Sequence, residues 1–161
     1  MKIERLTEDE CYVALQAAGF GRLACVRDEQ PYVVPIYFVV GEQCLYSFAL
    51  PGKKIEWMRE NPRVCVECDT VGGGDDWSSV VAFGHYQELS DDSAHSRERE
   101  LAHRLLQRRP MWWQPGAMSL EGHEGNGGYV PIFYRLSIAS VSGYRGLPGV
   151  ADTATSGAVS P

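Results

Sequence analysis

The chain has 161 residues, 44% of them apolar and 22% charged, which suits one globular domain near the usual ~100–150 residues and excludes the composition of a disordered chain. Its 21 acids against 15 bases leave a net charge of −6, which argues against nucleic-acid binding, since that needs a basic face to replace counterions on phosphates. No stretch approaches the ~20 apolar residues of a membrane span, and residues 1–10 carry acids where a signal peptide needs an apolar run. The expectation is a cytoplasmic protein whose five cysteines, Cys11, Cys25, Cys44, Cys65 and Cys68, stay reduced.

Thr7 and Glu10 have the spacing of a capping box, and Gly19 supplies a stop, so a short amphipathic helix is expected over 8–18, with Cys11, Ala14, Leu15 and Ala18 on its inner face. Three strands follow, over 22–27, 32–40 and 44–49, separated by tight turns. The middle one is apolar on both faces, as a strand covered on both sides would be. Pro35 inside it has no amide for a ladder, so a bulge or an unpaired edge is expected there.

Pro51-Gly52 opens a second helix that ends at Asn61-Pro62, with Ile55 and Met58 turned inward. A strand over 63–69 and a Gly-rich loop over 72–76 lead to a long alternating strand over 77–89. In that strand Ser79, Val81, Phe83 and His85 share one face, and Val80, Ala82, Gly84 and Tyr86 the other. Ser90-Asp-Asp92 is expected to cap a third helix with Ala94, Leu101, Ala102, Leu105 and Leu106 as its stripe, leaving His95 and His103 solvated. Residues 111–128 read as irregular, 129–143 as a last strand, and 146–161 as a flexible tail. Six strands joined mostly by turns, with helices as plugs, give a mainly β fold with helices (α+β), an antiparallel barrel over residues 1–145.

Several motifs fail on context. Gly19-Phe-Gly-Arg-Leu-Ala24 matches a dinucleotide fingerprint but follows a helix and opens a strand, the reverse of what the fingerprint needs. Cys65 and Cys68 have metal-ligand spacing, yet on a strand residues three apart point to opposite faces, and no second pair exists. No metal site is expected. There is no nucleophile elbow and no phosphate loop, and His123 in its loop has no partner legible in the sequence.

One placement is physically odd. Lys53 and Lys54 stand at a helix N-terminus, where the macrodipole is already positive and each cation costs ~0.3–1 kcal/mol. A docked anion reverses that sign, because free amides and ammonium groups converge on it; two solvated lysines tolerating a poor position are the alternative.

The order Pro31-Tyr-Val-Val-Pro-Ile-Tyr-Phe38, Leu45-Tyr-Ser47, the basic pair, Arg59-Glu-Asn-Pro-Arg-Val-Cys-Val-Glu67 and Trp77-Ser-Ser-Val-Val-Ala-Phe-Gly84 resembles the pyridoxamine 5′-phosphate oxidase-like, flavin-binding split-barrel family. The nearest likeness is its short nitroimidazole-resistance-type branch, and it covers roughly residues 5–145. The resemblance implies a six-stranded Greek-key split barrel that forms a homodimer, with flavin mononucleotide (FMN) in clefts between the subunits. It implies that Lys53 and Lys54 hold the phosphate, with Ser47 facing it. Val34, Pro35, Ile36 and Tyr37 then run along the isoalloxazine, and since Pro35 has no amide, any backbone donor comes from Ile36 or Tyr37. Ser79 matches a polar position near the flavin, held by a longer side chain in the oxidases. The loop bearing Trp112 and Trp113 resembles one seen in the short branch, where Trp113 offers a wall beside the flavin or a dimer contact.

The Arg-x-His substrate signature of the true oxidases is missing, since Arg135 is followed by Leu136-Ser137. The expectation is therefore an FMN-dependent oxidoreductase, a reductase of a small organic substrate drawing on reduced nicotinamide or another electron donor, and not a vitamin B6 oxidase. No catalytic acid or base stands out. Alternatives within the same resemblance are a heme-binding or heme-degrading protein with His85 or His123 as axial ligand, a deazaflavin-dependent reductase, and a flavin-binding protein without turnover.

Overall fold

A computed structural model describes residues 2–72, 76–92, 94–108 and 130–147. Eight strands and three helices follow in the order β1 (Lys2–Arg5), α1 (Glu8–Ala18), β2 (Phe20–Arg27), β3 (Gln30–Tyr37), β4 (Val39–Val40), β5 (Cys44–Ala49), α2 (Lys53–Glu60), β6 (Arg63–Val71), β7 (Trp77–Glu88), α3 (Ser96–Gln107) and β8 (Ile132–Leu147). Every pairing is antiparallel, in the order β3-β2-β6-β7-β8-β5-β4, with β1 on the far end of β8. The sheet curls into a barrel that does not close, since β3 and β4 end the path.

The open seam has a local cause. Phe38, fully buried, bonds its amide to the Gly19 carbonyl at 3.0 Å. Val39 and Val40 then turn away to pair with Tyr46 and Leu45. One continuous run over 32–40 is thereby split into two strands on opposite sides of the seam. This split and β1 account for eight strands where six were expected. β1 carries no signal of its own and is defined by its register with β8, Lys2 opposite Leu147 and Arg5 opposite Tyr144. The same pairing draws β8 out to Leu147, into the segment read as tail.

α1 spans the expected residues. Thr7 accepts from the Glu10 amide at 3.3 Å while the Glu10 carboxylate accepts from the Thr7 amide at 2.8 Å, and Gly19 ends the helix at φ 55°. Thr7→Ala is expected to cost about 1 kcal/mol of stability, read as a lowered urea midpoint with an unchanged slope.

α3 differs from expectation. It starts at Ser96, because the Asp92 carboxylate accepts from the amides of Ala94 and His95 and closes a separate turn first. Ala102 and Leu106 face inward as expected, whereas Leu101 is exposed and Arg99 and His103 are buried. His103 stands edge-on to Phe133 at 5.7 Å. His95 is held by Asp92 and Ser90 at Nδ1 and by Gln87 at Nε2. His103 is buried, and His95 is partly exposed but held by these partners.

Leu15, Leu23, Phe38, Ile55, Met58, Val66, Val80 and Tyr134 fill the barrel interior, which α1 and α2 plug. α3 covers a second cluster, built on Val39, Tyr46, Phe48 and Phe133. At Gly84, where β7 and β8 slip register, a Cβ would lie 2.4 Å from the Ser137 carbonyl oxygen, so only glycine allows the two backbones to approach so closely. Among the described residues no helix is long and apolar enough to cross a membrane.

Candidate functional site

α2 begins without a cap. Gly52 offers no side chain, and the amides of Ile55 and Glu56 both go to its carbonyl. The amides of Lys53 and Lys54 stand ahead of these, in the first helical turn, where no intrahelical acceptor exists. Lys54 is half-buried and has no hydrogen bond or ion pair with any described residue. Burial pushes its ammonium below the ordinary lysine value. The Lys53 ammonium lies 4.6 Å from the centres of both the Tyr32 and Trp57 rings. Sequence reasoning missed these two rings, although Trp57 stands four residues after Lys53 on one helix, the spacing that places side chains on one face.

Tyr32 belongs to β3, an edge strand. The bond from the Phe38 amide to Gly19 continues the β2–β3 ladder, in which Val34 stands opposite Leu23 and Ile36 opposite Gly21. Alternation then turns the backbone of residues 30, 32, 34 and 36 to β2, and that of 31, 33, 35 and 37 to the open edge. Pro31 and Pro35 both fall in the second set, so neither breaks a ladder bond, and both deny that edge to an added strand. Pro35 is thus accommodated by the unpaired edge, without a bulge. Ile36 has its amide in the ladder and its side chain in the core, while the Tyr37 backbone faces away from β2, where its carbonyl accepts from Ser47. Contrary to the expectation of two covered faces, β3 leaves its outer face open, with Val33 57% exposed.

Ser47 is buried and donates to the Tyr37 carbonyl at 2.7 Å. Ser79 lies on the outer face of β7, three strands from β3 and so about 14 Å away at ~4.8 Å per strand. Its hydroxyl donates to Glu67 at 3.2 Å, and Glu67 shares Arg22 with Asp69. The structure thus gathers Lys53, Lys54 and Tyr32 at the start of β3, while Ser79 lies on β7, three strands away. Trp112, Trp113 and His123 lie outside the described residues.

An open groove of about 450 Å³ runs over the outer face of β2, β6 and β7, walled by Ala24, Val26, Pro31, Cys65 and Phe83, with Arg63 and His85 at one end. His85 is exposed. Phe20, Val26, Val33 and Phe83 on this face are all exposed apolar side chains.

Cys65 faces the groove, whereas Cys68 lies in the core, where burial pushes its thiol up to about 11. Three residues of strand separate them by roughly 10 Å, against the ~3.5–4.5 Å between Cβ atoms that a disulfide needs. Alkylation and mass spectrometry of native protein, with and without reductant, should therefore find no Cys65–Cys68 crosslink; finding one contradicts this strand.

A family model described as pyridoxamine 5′-phosphate oxidase matches residues 7–145. The Rhizobium meliloti (strain 1021) protein RA0666 is 36% identical over 149 residues, 92% of this chain and 99% of that one. A solved FAD-binding protein from Mesorhizobium loti is 40% identical, with a TM-score of 0.76 over 92% of this chain and 99% of its own. A FAD- and heme-binding protein from Mycobacterium smegmatis shares the fold at 16% identity, with a TM-score of 0.64 over 92% of this chain and 75% of its own.

Proposed function

The chain belongs to the pyridoxamine 5′-phosphate oxidase family, and from that membership we propose that it binds a flavin nucleotide between two copies of itself and acts as an oxidoreductase on a small organic substrate. The observation that carries the reading is Lys54, a half-buried cation with no counter-anion among the described residues, beside the uncapped start of α2. A phosphate fits that position, because it supplies the missing charge and accepts from the open amides. The residues that would hold it are Lys53 and Lys54. The stretch of β3 from Val34 to Tyr37 would line the ring system.

The flavin supplies the hydride and electron transfer, and the protein supplies binding, orientation and shelter from water. The exposed apolar outer face, which carries Val33 on β3 and Phe83 on β7, is the surface a second copy would cover. FMN is the flavin proposed from the resemblance. FAD is a second reading, favoured by the 40% identical Mesorhizobium protein described as FAD-binding.

Vitamin B6 oxidation is not proposed. Besides lacking the Arg-x-His pattern, the chain commits Arg135 to Gln87 at 2.8 Å and to Glu98 at 2.7 Å, under α3. The test of activity is anaerobic addition of NADH or NADPH to flavin-loaded protein. Bleaching of the flavin absorbance, restored by an electron acceptor, is the expected result. Flavin that NADH and NADPH leave oxidised, and that added acceptors do not reoxidise after its reduction with dithionite, would point to a binding protein without turnover.

A further inference from the structure

Lys53 and Lys54 are neighbours in sequence but are held in different ways. Lys54 is half-buried and touches no ring or acid among the described residues. Lys53 is exposed, yet its ammonium is fixed 4.6 Å from the Tyr32 ring centre and 4.6 Å from that of Trp57. The two rings are 5.3 Å apart and tilted by 55°, so they form an angled seat rather than a parallel stack. Trp57 is part of the barrel core and Tyr32 packs against it, so the seat is anchored in the core. A lysine at the first position of a helix would otherwise sample many rotamers and lose that freedom on meeting a ligand. Both lysines also lie close enough to Cys25 to draw its thiol down against the burial that raises it. The two cations therefore share one neighbourhood.

We propose that Tyr32 and Trp57 are positioning residues for anion recognition. Their rings hold the Lys53 ammonium beside the open start of α2, so that Lys53 and Lys54 present a preset pair of cations to the phosphate end of the nucleotide. Lys54 contributes the desolvated charge, and the ring pair contributes the geometry of the second. This rests on the phosphate reading given under Proposed function, and the test separates the two.

Riboflavin has the FMN ring system without the phosphate, so the ratio of the two dissociation constants on flavin-stripped full-length protein isolates the phosphate end. Tyr32→Leu is expected to lower the wild-type preference for FMN by about fivefold, the size of a partly exposed cation–π contact, with riboflavin binding unchanged. Tyr32→Phe keeps a ring and should keep the preference. In a Lys53→Met background Tyr32→Leu should have no further effect, because the ring acts through that lysine. Trp57→Phe, with a smaller π face, should shift the preference in the same direction by less, and serves if Tyr32→Leu does not fold. A preference for FMN that survives Tyr32→Leu overturns the ring seat alone. Equal loss of FMN and riboflavin, or an undiminished effect in Lys53→Met, overturns it too, by showing that Tyr32 acts on the flavin rings or the fold. Wild-type protein that binds both flavins equally overturns the phosphate reading and the seat with it.

Discussion

Replacing Lys53 and Lys54 together with alanine is expected to strip the flavin while leaving the fold intact. Each charge-assisted contact to a phosphate is worth ~1.5–3 kcal/mol, so losing two weakens binding by at least about a hundredfold. The fold should survive because neither lysine closes a structural ion pair among the described residues, and removing cations from a helix N-terminus relieves an unfavourable interaction with the dipole. α2 stays anchored by Ile55, Trp57 and Met58. The measurement is flavin content per chain beside a thermal melt. An unchanged flavin content in the double variant would sink the phosphate assignment.

The second large effect concerns the outer face. Phe83 is 51% exposed in the single chain, on the β7 side of a face that also exposes Phe20, Val26 and Val33. If a second copy covers that face, Phe83→Glu places two uncompensated carboxylates in one apolar contact, since a two-fold interface meets every substitution twice. Central aromatic residues of such contacts cost about 2 kcal/mol or more each when lost, and a buried unpaired charge adds to that. The variant is expected to sediment as a monomer at micromolar concentration, with the chain still folded and its flavin lost. A wild-type protein that is monomeric with cofactor bound, or a Phe83→Glu protein that remains dimeric and yellow, would remove the outer face from the account.

How much of this was legible in the sequence depends on whether the signal was local. α1 was legible residue by residue, because Thr7, Glu10 and Gly19 are a start and a stop that act within a turn of themselves. The two faces of β7 followed from strict alternation, and the basic pair stood out because its position is electrostatically wrong for lysine. The rest depended on partners distant in the chain. β1 is four residues with no pattern, defined only by its register with β8. The break at Phe38 arises from a bond to Gly19 across the seam. α3 lost its first expected turn to Asp92, whose carboxylate found nearer amides. At the candidate site, the hydroxyl of Ser47 donates to the Tyr37 carbonyl, a bond between β5 and β3 that no local pattern announces. The apolar character of β3 was read as two buried faces; its odd-numbered residues are instead the open outer face and edge of a single chain.

If the cations at the start of α2 hold a flavin phosphate, the visible absorption spectrum of freshly purified protein will show it. The expected result is the two-banded yellow spectrum of a bound flavin, with FMN or FAD identified by chromatography after heat release, in a stoichiometry of one per chain. An intense heme band, or colourless protein that takes up neither FMN nor FAD when these are added, would contradict it.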